Sequence, residues 1–415
     1  MKKKYIIITP SIINMGGAQM YVRNKVVYMQ EKGWKVDLIS VQSGTVYIPE
    51  LRQFDCFIPE LGFSYYLFSK RKREKIIERL INRALDDQYD EIVIESTCIS
   101  ECTWAEVLAE RCNARHLAYL LQEDNTLTSE TDQQFVKFKF DRRELASIAD
   151  PSAYNMFASF SPISMQQSVE CRLPAYCNNV EEDIHSEWID IIKAKRYDYL
   201  IGCLSRLDKP FILPAVKDFI HFAESHPDKR MLLVMMGGAP EGSNSEKDIR
   251  KIVSQVENME LLVTGYLFPV STQLLAMFDA FFSSAGSAWV CMRTGIPTVS
   301  YDCNDFKPIG LLGKTTKHSL FRDDTELPLS LCSLFDEILV TKNFSREAST
   351  HELNKPDFTS HDQFLKQMSK DKQYFSFGNP KLGASEKKLA FMLRLIGAKA
   401  YAKLGKIKRN YLRHK

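Results

Sequence analysis

Short apolar runs alternate with helix-like segments along most of the chain, which indicates repeated strand–helix units. Apolar runs predict strands at 5–9, 35–40, 91–95, 116–121, 199–204, 231–236, 260–263 and 298–301. Segments with helical spacing lie between them, and such alternation is typical of parallel sheets covered by helices on both faces. Because 415 residues exceed the size of one ordinary core, we expect two domains.

A turn-rich segment separates the two halves of this pattern. Residues 150–179 contain Asp-Pro, Ser-Pro and Asn-Asn dipeptides, which favour turns and loops. The predicted fold class is therefore α/β, with two Rossmann-like, doubly wound domains. We expect an N-terminal domain at 1–180, a C-terminal domain at 181–370 and a basic helical tail at 371–415.

The stretch FFSSAGSAWVCMRTGIPTVSY, residues 281–301, predicts a strand, a small-residue turn, a helix from about Ala288 and a second strand. The start of a helix presents free backbone N–H groups and the positive end of its dipole, which suit a phosphate. The alternative is an ordinary βα turn in which Gly286 relieves crowding. Neither a GxGxxG fingerprint nor a Walker A loop occurs in the chain.

Arg206 and Lys209 follow the predicted strand at 199–204. Arginine clamps a phosphate through two hydrogen bonds, and lysine neutralises it as a point charge. Alone, the pair is better explained by a solvated turn with an Arg–Asp contact. Together with the small-residue helix start, it favours a diphosphate held between the two segments.

The first half offers weaker signals. Gly16 and Gly17 precede a helix and allow a ligand to approach the backbone closely. Glu123 follows the strand at 116–121 and is the candidate catalytic residue, with a solvated loop acid as the alternative. His116, at the start of that strand, is assigned a structural role.

Composition indicates a globular protein, since 45% of residues are hydrophobic, 26% are charged, and no apolar run is long enough to cross a bilayer. The start, MKKKYIIITP, predicts a strand because its apolar run ends at a proline. Ten scattered cysteines without metal-ligand spacing indicate a reducing cytoplasm and no metal site.

The charge is concentrated in one place. Residues 385–415 carry ten Lys/Arg against one acid, so the rest of the chain is net acidic although the total is +3. A nucleic-acid partner is therefore not expected. Apolar residues in the tail recur at helical spacing, namely Leu389, Met392, Ile396, Ala400, Leu404, Ile407 and Tyr411. This predicts a basic amphipathic helix that attaches to the anionic inner membrane surface, packs back on the protein, or does both in different parts.

The order of the motifs resembles the GT-B glycosyltransferases, in particular the retaining family four. The segments that carry the likeness, within residues 1–305, are GGAQMYVRNKVVYMQEKGWKVDLIS, YCNNVEED, IGCLSRLDK, LLVMMGGAPEG, LLVTGY and FDAFFSSAGSAWVCMRTGIPTVSYD.

The resemblance implies two Rossmann-like domains facing a cleft, with a nucleotide-sugar donor in the C-terminal domain and a glycan or lipid-linked acceptor in the N-terminal one. Residues implied at the donor are Arg206, Lys209, Gly238, Tyr266, Gly286, Ser287 and Ala288, while Gly16 and Gly17 approach the acceptor or the diphosphate. No cofactor or metal is implied. The expected activity is a hexosyltransferase, retaining in outcome, acting in cell-surface polysaccharide synthesis from the cytoplasm or from the membrane's cytoplasmic face.

One departure from the family pattern keeps other functions open. The family has two glutamates eight positions apart before its Gly-x-Pro, and Phe282 and Val290 stand at those positions here. The alternatives are a catalytically inactive GT-B-like protein that binds a nucleotide sugar or a partner, and a sugar-nucleotide epimerase.

Overall fold

The computed structural model describes residues 1–13, 15–122, 125–182, 184–323, 325–344 and 357–413, with side chains described through residue 405. The chain forms two compact units. The first comprises Met1–Asn14, Ala18–Tyr176 and Asp357–Lys415, and the second Met15–Gly17 and Cys177–Pro356. The first change from one unit to the other after the N-terminal strands, between Tyr176 and Cys177, lies close to the expected boundary at residue 180. Residues from 357 onward belong to the first unit, although the second domain was expected to extend to residue 370.

The first unit is built on a six-stranded parallel sheet of order β3-β2-β1-β4-β5-β6. Its strands are β1 Lys3–Thr9, β2 Lys35–Ser40, β3 Cys56–Phe57, β4 Glu91–Ser96, β5 Arg115–Leu120 and β6 Leu145–Ser147. Its helices are α1 Gly17–Glu31, α2 Lys70–Ala84, α3 Ile99–Cys112, α4 Glu130–Asp141, α5 Asp150–Phe157 and α6 Met165–Glu170, with 3-10 turns at Pro49–Leu51, Pro59–Gly62 and Tyr65–Leu67. This strand order is that of a Rossmann domain.

The second unit repeats the plan in a six-stranded sheet of order β10-β9-β8-β12-β13-β14. The strands are β7 Val180–Glu181, β8 Tyr199–Leu204, β9 Met231–Met236, β10 Met259–Gly265, β11 Val270–Ser271, β12 Ala280–Ser283, β13 Thr298–Tyr301 and β14 Pro308–Leu311, where β7 and β11 pair separately. The helices are α7 Glu187–Lys193, α8 Ile212–Ser225, α9 Ser245–Val253, α10 Thr272–Leu275, α11 Ala285–Arg293 and α12 Leu331–Phe335, followed by a π-helical turn at Asp336–Val340. Only β14 runs antiparallel in the large sheet, so the predicted mainly parallel sheet is confirmed.

Helices α13 Thr359–Gln367, α14 Ala384–Ile396 and α15 Ala398–Arg413 return the chain to the first unit. On α13, His361 Nδ1 lies 3.3 Å from the Nζ of Lys25 of α1, and its Nε2 lies 2.8 Å from the carbonyl oxygen of Pro174. Burial lowers the pKa of Lys25 to about 8, and burial together with Lys25 lowers the pKa of His361 to about 3. The neutral imidazole is therefore a fixed part of this helix contact.

A second buried contact ties down the segment between α13 and α14. The Glu106 carboxylate of α3 accepts hydrogen bonds from Lys139 Nζ at 2.9 Å and from the Phe375 N–H at 2.8 Å, and it lies 2.6 Å from His116 Nδ1. Burial alone would raise the pKa of Glu106, but Lys139 and His116 bring it down to about 2. His116 is thus part of a buried ion cluster, which is the structural role that the sequence assigned to it.

Helix α14 docks through a shared tyrosine hydroxyl. Tyr66 Oη lies 3.0 Å from the Asp132 carboxylate, 3.1 Å from the Glu386 carboxylate of α14 and 3.0 Å from Ser129 Oγ. Burial raises the pKa of Asp132 to about 7, and the nearby Glu386 charge adds to that rise. Asp132 and Glu386 therefore compete for the hydrogen bond of the Tyr66 hydroxyl beneath α14.

The Asp132→Asn variant should gain stability relative to the wild type as the pH rises from about 4 to about 7. Because the folded-state pKa is raised, the stability that Asp132 contributes at low pH is lost as the pH rises toward 7. The expected gain over this range is about 1–2 kcal/mol, measured by urea unfolding at each pH. An exposed control, Asp55→Asn, should follow the wild type, and a constant difference for Asp132→Asn across the range would contradict the assignment.

Candidate functional site

The carboxyl ends of β8 and β9 are joined by backbone contacts. The Ser205 N–H donates to the Met236 carbonyl oxygen at 3.1 Å, and the Leu207 N–H donates to the Gly238 carbonyl oxygen at 3.0 Å. A Cβ at Gly237 would lie 1.9 Å from the Ser205 carbonyl oxygen, so only glycine permits this approach. The loops after the two strands are thereby held side by side.

Two predicted residues meet at the next strand end. A Cβ at Gly238 would lie 2.7 Å from the ring of Tyr266, and Gly237 forms an isolated antiparallel bridge with Gly265 at the end of β10. Three consecutive strand ends, β8, β9 and β10, thus form one continuous edge. Gly238 and Tyr266 therefore lie together at the carboxyl edge, where ligands of doubly wound sheets bind, and their donor-binding role stays a prediction.

The start of α11 supplies the next part of the site. Ala285 adopts a left-handed backbone conformation with a φ of 57°, and its N–H donates to the Ser319 carbonyl oxygen at 2.6 Å. The N–H groups of Gly286 and Ser287 follow in the first turn, where a helix offers no carbonyl partner. The helix therefore starts at Ala285, so the predicted start near Ala288 is wrong. Ala288 lies farther into the helix, and its side chain is fully buried.

Lys209 is linked to this helix start through Cys303. Burial lowers the pKa of its ammonium group, and the Cys303 thiol is the strongest opposing influence on that pKa. Cys303 Sγ lies 3.2 Å from the hydroxyl of Ser284, the residue that precedes α11. Within the described part of the chain, no carboxylate oxygen lies within 4 Å of the Lys209 Nζ. A half-buried cation without a close counter-ion is partly desolvated at a cost, and an anionic ligand would offset that cost.

Arg206 has a different environment. Its Nε lies 3.0 Å from Asp208 Oδ1, and a third of its side chain is exposed. This is the Arg–Asp contact that the sequence left open as an alternative, although its two contacting atoms are buried instead of solvated. Ser205, which precedes it, is 6% exposed, and its hydroxyl has no hydrogen-bond partner among the residues that the structure describes. The two predicted cations are therefore not equivalent, and Lys209 is the one without a carboxylate.

A loop segment, residues 316–322, holds the helix start in place. Ser300 Oγ donates to the His318 carbonyl oxygen at 2.9 Å, and the Cys303 N–H donates to the Leu320 carbonyl oxygen at 2.9 Å. Glu326 anchors the segment by accepting from Thr316 Oγ1 at 2.5 Å and pairing with His318 Nδ1 at 2.7 Å. This arrangement positions the Ser319 carbonyl oxygen that caps Ala285.

Side-chain ligand atoms of His318, Asp323 and Glu326 lie within 4.8 Å of one another, close enough to share a cation in principle. Their contacts are with each other and with neighbouring loop groups. Glu326 is engaged by Thr316 and His318, and Asp323 accepts from the Thr325 N–H at 2.7 Å. We therefore assign the three side chains to holding the loop.

The remaining predicted residues have separate outcomes. Gly16 and Gly17 are grouped with the second unit, where a Cβ at Gly17 would lie 3.9 Å from Cys177 Sγ. A Cβ at Gly286 would lie 3.7 Å from the same sulfur, so Gly17 and Gly286 both lie against Cys177. Glu123 lies outside the described residues, and its catalytic assignment stays a prediction.

Both positions at which family four carries glutamate are packed with apolar side chains. Phe282 is fully buried in the core of the second unit, with its ring 6.2 Å from that of Tyr301. Val290 is half-buried against a second core cluster on α11. Neither position contributes a polar group to the site.

Sequence reasoning missed three contributors to this site, Ser205, Cys303 and Ser319. Ser205 stands directly after the apolar run at 199–204, and that position was the available signal. Ser319 acts through its carbonyl oxygen, and Cys303 acts through contacts with residues distant in sequence, so neither had a local signal.

Comparison with known proteins gives a structural match and no sequence match. No protein-family model matches the chain, and no curated protein sequence matches it. A solved glycosyltransferase from Rickettsia africae superposes with a TM-score of 0.55 at 11% identity, over 97% of this chain and 99% of that chain. The chain has the GT-B fold. At this identity the match shows the fold alone.

Two other solved structures superpose with lower TM-scores. HepE from Anabaena, in complex with UDP and glucose, is 14% identical over 71% of this chain and 80% of its own, with a TM-score of 0.48. The apo form of the lipopolysaccharide outer core galactosyltransferase WaaB is 12% identical over 88% of this chain and 94% of its own, with a TM-score of 0.47. The GT-B fold predicted from the motif order is confirmed by the two Rossmann-like sheets and the match to the Rickettsia enzyme.

The Gly237→Ala variant should be less stable than the wild type by about 1–3 kcal/mol, because the added methyl group collides with the Ser205 carbonyl oxygen and separates the β8 and β9 loops. Thermal unfolding measures the loss. Gly405→Ala is the matched control, since a Cβ there meets no atom within 4 Å and alanine favours the helix. Equal melting temperatures for Gly237→Ala and the wild type would show that the loops are not held by this contact.

Proposed function

We propose that the protein is a glycosyltransferase that moves a sugar from a nucleoside-diphosphate sugar to a hydroxyl group. The observation that carries the proposal is Lys209, a half-buried cation with no carboxylate within 4 Å in the described chain, near Cys303, whose thiol contacts the residue before α11. In a GT-B fold this places positive charge and helix N–H groups at the carboxyl edge of the second sheet. A diphosphate matches both features.

The proposed chemistry follows from charge stabilisation of the leaving group. As the bond between the sugar and the diphosphate breaks, negative charge grows on the diphosphate oxygens. Lys209 and the N–H groups of Gly286 and Ser287 would stabilise that charge, so the reaction has no need of a divalent metal or another cofactor. Tyr266, against Gly238, would border the nucleotide base, and Arg206 would reach the diphosphate by leaving Asp208.

For the acceptor we propose a glycan or a lipid-linked sugar used in cell-surface polysaccharide synthesis, with Gly16 and Gly17 on its approach. A hexosyl donor and a retaining outcome follow from the resemblance to family four. We propose a cytoplasmic location at the membrane surface, which agrees with ten cysteines that are all free thiols.

The second candidate is a GT-B-like protein that binds a nucleotide sugar or a partner without turnover. One observation favours it. Phe282 and Val290 occupy the family's two glutamate positions, and both side chains pack into apolar cores. The groups that family four directs at the sugar and the ribose are therefore missing from those positions.

Nucleoside diphosphates or their sugars should raise the melting temperature of the wild-type protein. Ligand at about a hundred times its dissociation constant stabilises by about 2.7 kcal/mol, a clear shift in a thermal scan. The double variant Arg206→Ala, Lys209→Ala should lose the shift, and Lys209→Met alone should lose most of it because only Lys209 lacks a carboxylate. The surface variant Lys217→Ala, on the exposed face of α8, serves as the control and should keep it. A full shift in Lys209→Met would remove Lys209 from the donor site.

Turnover separates the two candidates. With the stabilising nucleotide sugar, a transferase should release nucleoside diphosphate in proportion to added membrane or glycan acceptor, as measured by a coupled assay. Lys209→Met should reduce this rate by about a hundredfold or more, as expected for removing a group that stabilises leaving-group charge. Donor binding without acceptor-dependent release would favour the non-catalytic candidate, and release without any acceptor would favour an epimerase.

A further inference from the structure

Helix α14 has two different faces. Ala390 and Leu393 are buried in the core of the first unit, and Ala398 at the start of α15 is buried beside them. On the opposite side, Phe391 is 63% exposed and Leu395 is 67% exposed. These two residues are four positions apart and share one face of the helix, so large apolar side chains project away from the protein.

Basic residues surround this apolar pair. Lys387, Lys388 and Arg394 on α14 are exposed, as are Lys399 and Lys403 on α15. Leu404, also on α15, is 54% exposed. The acid of α14, Glu386, is directed to the Tyr66 hydroxyl instead. We name the exposed residues Lys387, Lys388, Phe391, Arg394, Leu395, Lys399, Lys403 and Leu404 the α14–α15 surface.

A second basic element borders the same part of the first unit. Lys72 and Arg73 in the first turn of α2 attach to the 59–67 segment, Lys72 by a 2.7 Å salt bridge to Glu60 and Arg73 by stacking over Tyr65. Lys70 and Arg71, at the start of that turn, are exposed.

The C-terminal helices pack on this 59–67 segment too. The Tyr401 ring of α15 lies 5.8 Å from the Phe63 ring, and Glu386 of α14 contacts Tyr66. The basic start of α2 and the basic helices α14 and α15, which are far apart in the sequence, therefore all contact the 59–67 segment of the first unit.

We infer that the α14–α15 surface binds an anionic phospholipid bilayer in the interfacial plane, with Phe391 and Leu395 entering the headgroup region and the basic side chains contacting lipid phosphates. Amphipathic helices with aromatic and leucine side chains among lysines and arginines bind membranes in this way. Among the described helices, none combines the length and the apolar character needed to cross a bilayer. Charge complementarity favours lipid over a second copy of the chain, because two such basic surfaces would repel each other.

The full-length protein is the right material for the test, because truncation at residue 385 would uncover the core contacts of Ala390 and Leu393. Flotation with vesicles of phosphatidylcholine plus phosphatidylglycerol should recover the wild type, and vesicles of phosphatidylcholine alone should not. Salt should weaken the binding, because surface charge is screened. Each basic residue near an anionic surface contributes about a fivefold change in partitioning.

Two variants test the two components of the surface. The variant Phe391→Ser, Leu395→Ser removes the apolar pair, and Lys387→Gln, Lys388→Gln, Arg394→Gln removes three charges. Each should lower vesicle binding by about tenfold or more. Matched controls are Leu327→Ser, Leu329→Ser, which changes two exposed leucines of the second unit, and Lys217→Gln, Lys247→Gln, Lys251→Gln, which changes three exposed lysines there. The conservative variant Phe391→Trp keeps a large aromatic side chain at this position and should bind vesicles as the wild type does.

The inference is overturned if the wild type fails to float with anionic vesicles, if it binds neutral vesicles equally well, or if the surface variants and their controls bind alike. Size-exclusion chromatography with light scattering tests whether a second copy of the chain binds this surface instead. A dimer that Phe391→Ser, Leu395→Ser dissociates would assign the surface to a second copy. Vesicle binding requires no nucleotide, so its failure leaves the proposed transferase activity untouched, and thermal unfolding of each variant confirms that it is folded.

Discussion

The close approach of Gly237 to the Ser205 carbonyl oxygen determines how the carboxyl edge of the second sheet is built. With any side chain at position 237, the loops after β8 and β9 would have to separate. Their backbone hydrogen bonds position Ser205 and Leu207, and the short turn that follows carries Lys209 toward Cys303 and the start of α11. This steric requirement thus helps to position the half-buried Lys209 near Cys303, which contacts the residue before α11.

Much of this architecture was accessible from the sequence, because it follows from local patterns. Apolar runs separated by amphipathic segments predicted both parallel sheets, and the small-residue turn at 284–287 predicted the helix start that faces the site. The exact start was wrong because it depends on Ser319, whose carbonyl oxygen receives the Ala285 N–H from a position far along the chain. The different environments of Arg206 and Lys209 could not be predicted from the sequence either. Which cation loses water and which finds a carboxylate is decided by tertiary packing.

The return of residues 357–413 to the first unit has a similar explanation. Some of its anchors are isolated polar contacts, such as His361 with Lys25 and the Phe375 N–H with Glu106, and no periodic sequence pattern indicates these contacts. For the tail, the sequence left open whether the helix packs back or faces a membrane. The structure assigns packing to one side of α14 and leaves Phe391 and Leu395 on the other. Apolar spacing alone could not separate these faces, because both contain large hydrophobic residues.

The apolar residues at 282 and 290 bear on how such a site would recognise a sugar. Phe282 packs among Phe219 and Tyr301 in a fully buried core, so a glutamate there would place a charge where no counter-ion or water compensates it. The family-four pattern is therefore excluded by the packing of this sheet and could not be restored by one substitution. Under the proposed function, recognition of the donor would rest on its diphosphate, through Lys209 and the α11 start, with the sugar contacted by other groups. A site of this kind would discriminate strongly between diphosphates and other anions, and more weakly among sugars that share a nucleotide.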